Sequence, residues 1–172
     1  MDDYEMTKAC RDIENFALND LSNWYVRLCR RRFWKSDSDA DKRAAYETLY
    51  ECMIIVSQLM SAVAPFFAEW LYRNLTDPIR KNEKVNGGRW KHDSVHLTFL
   101  TKANHDLIDE ALEERMDYAQ RISSLVLSIR KKENHRVRQP LQKILLPVLD
   151  STFQAQVEAV KDLILSEVNV KE

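Results

Sequence analysis

MTKACRDIENFALNDLSNWYVRLCRRRFW, residues 6–34, decides how the fold is read. Its apolar residues Met6, Cys10, Ile13, Ala17, Leu21, Trp24 and Leu28 step by four and three, which lays one apolar stripe along a helix. The spacing predicts a single helix from Tyr4 to Trp34, and about 30 residues of helix span roughly 45 Å. The rest of the chain supports long helices. Only two glycines occur in 172 residues, the neighbours Gly87 and Gly88, with four prolines at 65, 78, 140 and 147. A sheet protein needs turn residues every 8–12 positions or so, and too few are present to supply them.

Outward from that helix, KSDSDADK interrupts the periodicity, and Ser38 or Asp39 is placed to cap a second helix with aspartates at its positive end. That helix carries Leu49, Met53, Val56, Met60 and Val63. Pro65 suits the first turn of a third helix, PFFAEWLYRNL. Residues 76–102, with Pro78 and the glycine pair, read as a long loop in which VHLTFL forms a short extended or 3₁₀ piece. A fourth helix is expected over about 106–134, with an apolar face at Ile122, Leu125, Val126 and Ile129. Past Pro140 the pattern changes. KILLPVL reads as a strand, Asp150 or Ser151 caps a helix with the stripe Phe153, Val157, Val160 and Ile164, and VNVKE alternates like the beginning of a second strand. Strand, helix and strand form a βαβ unit with parallel pairing.

The fold class expected is therefore mainly α, an antiparallel helical bundle with a small C-terminal βαβ appendage, truncated at its last strand. Three regions are expected: 1–103 as a helical bundle with the loop at 76–102, 104–139 as the last long helix with a basic linker, and 140–172 as a small α/β subdomain.

Composition narrows the chemistry. With 26 basic and 27 acidic residues the net charge is −1, 45% of residues are hydrophobic and 31% are charged, as in a soluble domain. No apolar run reaches the roughly 20 residues that span a bilayer, and the acidic Asp2 and Asp3 do not open a secretory signal. A cytoplasmic protein with no membrane partner is expected. Cys10, Cys29 and Cys52 are odd in number and widely spaced, which fits reduced thiols rather than disulfides or zinc. There is no glycine-rich phosphate loop and no nucleophile elbow. His92 and His96 stand four apart but lack the HExxH glutamate, and no metal site is expected. The carboxylates Asp109, Glu110, Glu113 and Glu114 read as a solvated helix face. No catalytic residue is assigned.

What stands out is the distribution of positive charge. Arg27, Arg30, Arg31, Arg32 and Lys35 trail into Lys42 and Arg43. Arg130, Lys131, Lys132, His135, Arg136 and Arg138 form a second group, and Arg80, Lys81, Lys84, Arg89 and Lys91 with Trp90 a sparser third. Cations at helix C-termini complement the macrodipole, which accounts for two or three charges at an end and not for five or six. Antiparallel helices would return the first two groups to one pole of the bundle, with the third at the other. Such a surface attracts phosphates, with an affinity that falls as salt rises. Arginine forks grip phosphate, and an exposed ring stacks on unpaired bases. Trp24 lies on the apolar stripe and reads as core, whereas Trp34 at the helix end is the stacking candidate.

DLSNWYVRLCRRRFW (20–34), MSAVAPFFAEWLYRNL (60–75), DSVHL (93–97), RKKENHRVRQPLQKILLPV (130–148) and SEVNVKE (166–172) resemble, in order and spacing, the C-terminal region of isoleucyl-tRNA synthetases. The resemblance covers essentially the whole chain. It implies an anticodon-binding module for the stem and loop of tRNA(Ile), in a parent enzyme that joins isoleucine to tRNA using ATP and Mg. The HIGH-like and KMSKS-like catalytic strings of the family are absent from this chain, so it carries no cofactor of its own, and the other domains of the synthetase are its expected partners. The family usually adds a helix upstream and a longer second strand, so both ends are expected to be truncated and to allow weak self-association. Phosphate contacts are expected from Arg27, Arg30, Arg31, Arg32, Arg136 and Arg138, with Trp34 as a stacking platform. Arg89, Trp90, Lys91, Arg130, Lys131 and Lys132 are secondary candidates. A valyl- or leucyl-type module, or a helical protein–protein interaction domain without RNA, are the competing readings.

Overall fold

The computed structural model describes residues 5–35, 38–82, 92–148 and 150–172, with the backbone alone at 81 and 82. The chain divides into two compact units, residues 1–103 and 104–172. The architecture is mainly α.

In the first unit, α1 (Met6–Asn15) runs without a break into a wider π-helical stretch, Phe16–Val26, and then α2 (Arg30–Lys35). The single α-helix expected over 4–34 is thus corrected: its middle is wound with i→i+5 hydrogen bonds. A stripe laid out for 3.6 residues per turn drifts on that wider winding. Neither α1 nor the π stretch fully buries any side chain. Burial begins at Cys29 and Phe33, which pack with Ala45, Tyr25, Val26 and Leu49.

Ser38 caps α3 (Asp39–Met60), its hydroxyl accepting from the Asp41 N–H at 3.4 Å, with Asp39 and Asp41 in the first turn. α4 (Pro65–Asn82) starts at Pro65, as a residue without a backbone donor prefers. α3 and α4 pack antiparallel, since Tyr50 donates to the Leu75 carbonyl while Ile54 meets Tyr72 and Ala68 nearer the turn. The buried face of α3 centres on Ile54, Ser57 and Gln58, and Val63 lies exposed in the connecting turn. Ala68, Tyr72 and Thr76, four apart, form the buried stripe of α4.

α4 continues six residues past Thr76, so the first part of the loop expected at 76–102 is helical. Pro78 removes one helical donor. The turn survives because it is tied down elsewhere. Thr76 is buried with its hydroxyl on the Tyr72 carbonyl, Asp77 pairs with Arg73 and Arg80, and Arg80 donates to the His92 carbonyl at 2.6 Å. The 3₁₀ turn Val95–Leu97 closes over the hairpin: Glu69 accepts from the Ser94 hydroxyl and the Val95 N–H, Tyr72 donates to His92, and Gln58 bonds Thr98 and Thr101.

In the second unit, a 3₁₀ turn at His105–Leu107 precedes α5 (Glu110–Lys132), which Asp109 caps. Its buried side chains are Ala119, Ile122, Ser123 and Arg130, whereas Leu125 and Ile129, expected inside, are 64% and 61% exposed. α6 (Ser151–Ala159) is capped by Asp150, whose carboxylate accepts from the Phe153 N–H at 2.7 Å. The helix expected to run on to Ile164 breaks at Val160, whose ψ of 10° turns the chain into α7 (Lys161–Val168). Both helices pack on α5, with Tyr118 edge-on to Phe153 at 5.1 Å.

The βαβ appendage is not present as such: no strand forms among the described residues, and one parallel bridge joins Leu141 to Val170. Leu141 donates to Asn169 and Lys171 to Leu141, the evenly slanted pattern of a parallel pair. The next bond runs from Ile144 to the Glu172 carbonyl, where a regular parallel ladder would join Lys143 to the Lys171 carbonyl. That slip breaks the two-residue alternation a strand requires, so residues 143–148 stay irregular, with Leu145 and Val148 exposed.

Candidate nucleic-acid interface

The first basic segment, 27–43, holds seven cations (Arg27, Arg30, Arg31, Arg32, Lys35, Lys42, Arg43) against Asp37, Asp39 and Asp41. α2 places Arg30, Arg31, Trp34 and Lys35 on the surface, and Arg27, just before it, is exposed as well. Trp34 is 78% exposed, as a stacking platform must be. Trp24 is half-buried, its indole Nε1 buried without a hydrogen-bond partner.

Arg32 departs from expectation. Its Nε sits 3.0 Å from both carboxylate oxygens of Asp41, Nη2 donates to Oδ1 at 2.7 Å, and Nη1 reaches the Cys29 sulfur at 3.6 Å. Bonding to the carboxylate raises the guanidinium pKa further above its already high ordinary value. A fork already closed on a carboxylate is not offering itself to phosphate. Arg32 braces α2 against α3, and a phosphate would have to compete with Asp41 for it.

The second segment, 130–138, is built more tightly. α5 ends in a Schellman motif: Asn134, with φ 58°, occupies the left-handed position and donates to Lys131, while His135 donates to the Arg130 carbonyl at 2.8 Å. Residues 136–139 then form a turn closed by Gln139 donating to Arg136 at 3.0 Å. Lys131, Lys132, His135, Arg136 and Arg138 are all exposed.

Arg130 is not. It is 2% exposed, and its Nη2 donates to the carbonyls of Arg136 (2.7 Å), Val137 (3.2 Å) and Gln139. A guanidinium so enclosed is beyond reach of a polymer's phosphates, which removes Arg130 from the secondary candidates for direct contact. From the other side of the loop, Asn169, itself left-handed at φ 54°, donates its side-chain amide to the Val137 carbonyl at 2.8 Å.

Of the third group, Arg80 is committed to Asp77 and His92. Arg89, Trp90 and Lys91 lie outside the described residues. No cluster of three or more metal-ligating side chains occurs among the described residues, and no helix there is long and apolar enough to cross a membrane.

Sequence reasoning missed two features. The left-handed asparagines 134 and 169 were legible as asparagines just past helical runs, the first behind a basic last turn. The other is an exposed aromatic ridge on α4, where Phe66 is 90% and Trp70 60% exposed beside Arg73, along an open groove of about 660 Å³. Its signal was the spacing of 66, 70 and 73 on one helical face.

A sequence profile of the family described as "Anticodon-binding domain of tRNA ligase" matches residues 1–145. Among individual proteins, the isoleucine–tRNA ligase of Cytophaga hutchinsonii is 51% identical over 169 residues, 98% of this chain and 14% of that protein. That of Porphyromonas gingivalis is 46% identical over all 172 residues, again 14% of its length, and that of Thermococcus kodakarensis is 35% identical over 169 residues. The chain thus spans about one seventh of the relatives it matches. It belongs to the family of anticodon-binding domains of tRNA ligases.

Proposed function

We propose that this chain is the anticodon stem-and-loop binding module of an isoleucine–tRNA ligase, holding tRNA(Ile) while the rest of the ligase performs ATP-dependent aminoacylation. The observation that carries the reading is the match to isoleucine–tRNA ligases over 98–100% of the chain. The exposed cations on α2 and on the turn after α5 support it. The Mg and ATP chemistry belongs to the remaining domains of such a ligase, which are the module's covalent partners, and no residue of this chain is assigned to it.

Arg27, Arg30, Arg31, Arg136 and Arg138 are assigned to phosphates, with Lys131 and Lys132 in support and Trp34 stacking on an unpaired base. Arg89, Trp90 and Lys91 are a second candidate group. Phosphate contacts of this kind release counterions, so each one adds about 0.7–0.9 to the slope of log affinity against log salt.

The test is titration with isoleucine-accepting tRNA and with a non-cognate tRNA at two or more salt concentrations. Binding that prefers the cognate tRNA and weakens with salt is expected. Equal binding to both would move the assignment to another aliphatic synthetase. No binding at low salt would favour a protein-interaction module, for which the Phe66–Trp70 ridge is the specific supporting feature.

A further inference from the structure

The buried arginine at the end of α5 has a charge that the RNA-binding reading leaves unused. Arg130 is 2% exposed, its Nε and Nη1 have no hydrogen-bond partner, and all three of its side-chain bonds go to carbonyls of the basic loop. Burying a guanidinium with unsatisfied donors costs free energy. An apolar side chain on the buried face of α5 would avoid that cost. What the guanidinium does, and a hydrocarbon could not, is gather the carbonyls of Arg136, Val137 and Gln139 onto one nitrogen. The three carbonyls belong to the stretch that carries the exposed Arg136 and Arg138 side chains.

We propose that Arg130 is a positioning residue: a buried strut that fixes the 136–139 turn so that Arg136 and Arg138 meet RNA phosphate as a preorganised pair. This rests on the RNA-binding reading above. Preorganisation matters because immobilising a long side chain or loop at the moment of binding costs affinity. Asn169 completes the strut from the opposite side through Val137. The Schellman end of α5 takes the Arg130 carbonyl as well, so one residue anchors both the start and the middle of the loop.

The role differs from a phosphate contact in a way that can be measured. Arg130 is all but closed to solvent, so its effect on RNA passes through the loop that carries Arg136 and Arg138. In the 172-residue chain, R130M is expected to flatten the salt slope for tRNA by up to about two units, the same change expected of R136A/R138A. Added to R136A/R138A, it should change affinity less than twofold. N169G keeps the left-handed backbone and removes only the amide, so it loosens the loop with no change of charge. It should weaken RNA binding in the same direction, and R130K should restore part of the loss. Additive effects of R130M in the two backgrounds, or wild-type affinity in a folded R130M, would overturn the proposal.

A second readout needs no RNA. Amide exchange at Gln139 and Leu141, whose N–H groups close the turn and join Asn169, should accelerate in R130M and N169G while the Ala119–Ser123 amides of α5 stay protected. Unchanged exchange at those two amides overturns the strut even if RNA binds. Faster exchange in a chain that binds no RNA would instead retain the strut and reject the RNA-binding reading on which its function rests.

Discussion

Arg31 and Arg32 are adjacent in sequence and opposite in role. Arg31 is exposed on α2, while Arg32 is forked onto Asp41. R31A should lower the salt slope for tRNA by about one unit without affecting folding. R32A should leave the slope unchanged and cost the fold little, because the pair is partly exposed at 40% and 44%. Equal slope changes would mean that Asp41 releases Arg32 to RNA. Two phenols, Tyr72 buried and Tyr25 partly buried, make a separate statement. Burial pushes the Tyr25 and Tyr72 hydroxyls above the ordinary tyrosine value of 10.0. The folded state favours their neutral form, so this stabilisation is fully present below about pH 10 and is lost as pH climbs through the raised values. An alkaline absorbance titration should show these two, and Tyr118 bonded to Glu114, ionising above the ordinary tyrosine range, with loss of helix as Tyr25 and Tyr72 ionise. Early ionisation with the helices intact would contradict their burial. Local chemistry made Ser38, Pro65 and Asp150 legible at this scale. Arg130 and Arg32 were not, since nothing in the string RKKENHRVR marks the one cation that turns inward, and Asp41 reaches Arg32 only across the folded α2–α3 turn.

Helices as units were legible wherever capping and periodicity agreed, as in α3. The errors lie where tertiary contacts override them. α4 outlasts Pro78 because Thr76, Asp77 and Arg80 hold its last turn against the chain around His92. KILLPVL has strand-like composition, but the bond from Ile144 falls out of step with the Leu141 bridge. The apolar residues of α5 were assigned to one inner face, yet the buried line passes through Ala119, Ile122, Ser123 and Arg130, a line carrying a serine and a cation. Two substitutions test the elements. I54A, at the centre of the α3–α4 core, should cost about 2–5 kcal/mol in denaturant unfolding. At the left-handed end of α5, N134G should be near neutral and N134V should cost about 1–2 kcal/mol. A neutral N134V would mean that α5 does not end in this motif.

For the whole molecule, two glycines in 172 residues announced a helical protein, and the five strings in register pointed to the family that the sequence profile bears out. Periodicity reports which side of a helix is apolar, but not which cations remain on the surface once the chain is folded. The placing of the cations therefore became visible only in the fold: surface arginines on α2, a brace in Arg32, and the buried Arg130 beneath Arg136 and Arg138. Binding of tRNA(Ile) across a salt series, by the wild type, by R30A/R31A and by R136A/R138A, tests this account most directly. Each double substitution should flatten the slope by up to about two units while the helical signal is unchanged. If neither alters the slope of a chain that still binds tRNA, these two basic segments do not hold the RNA.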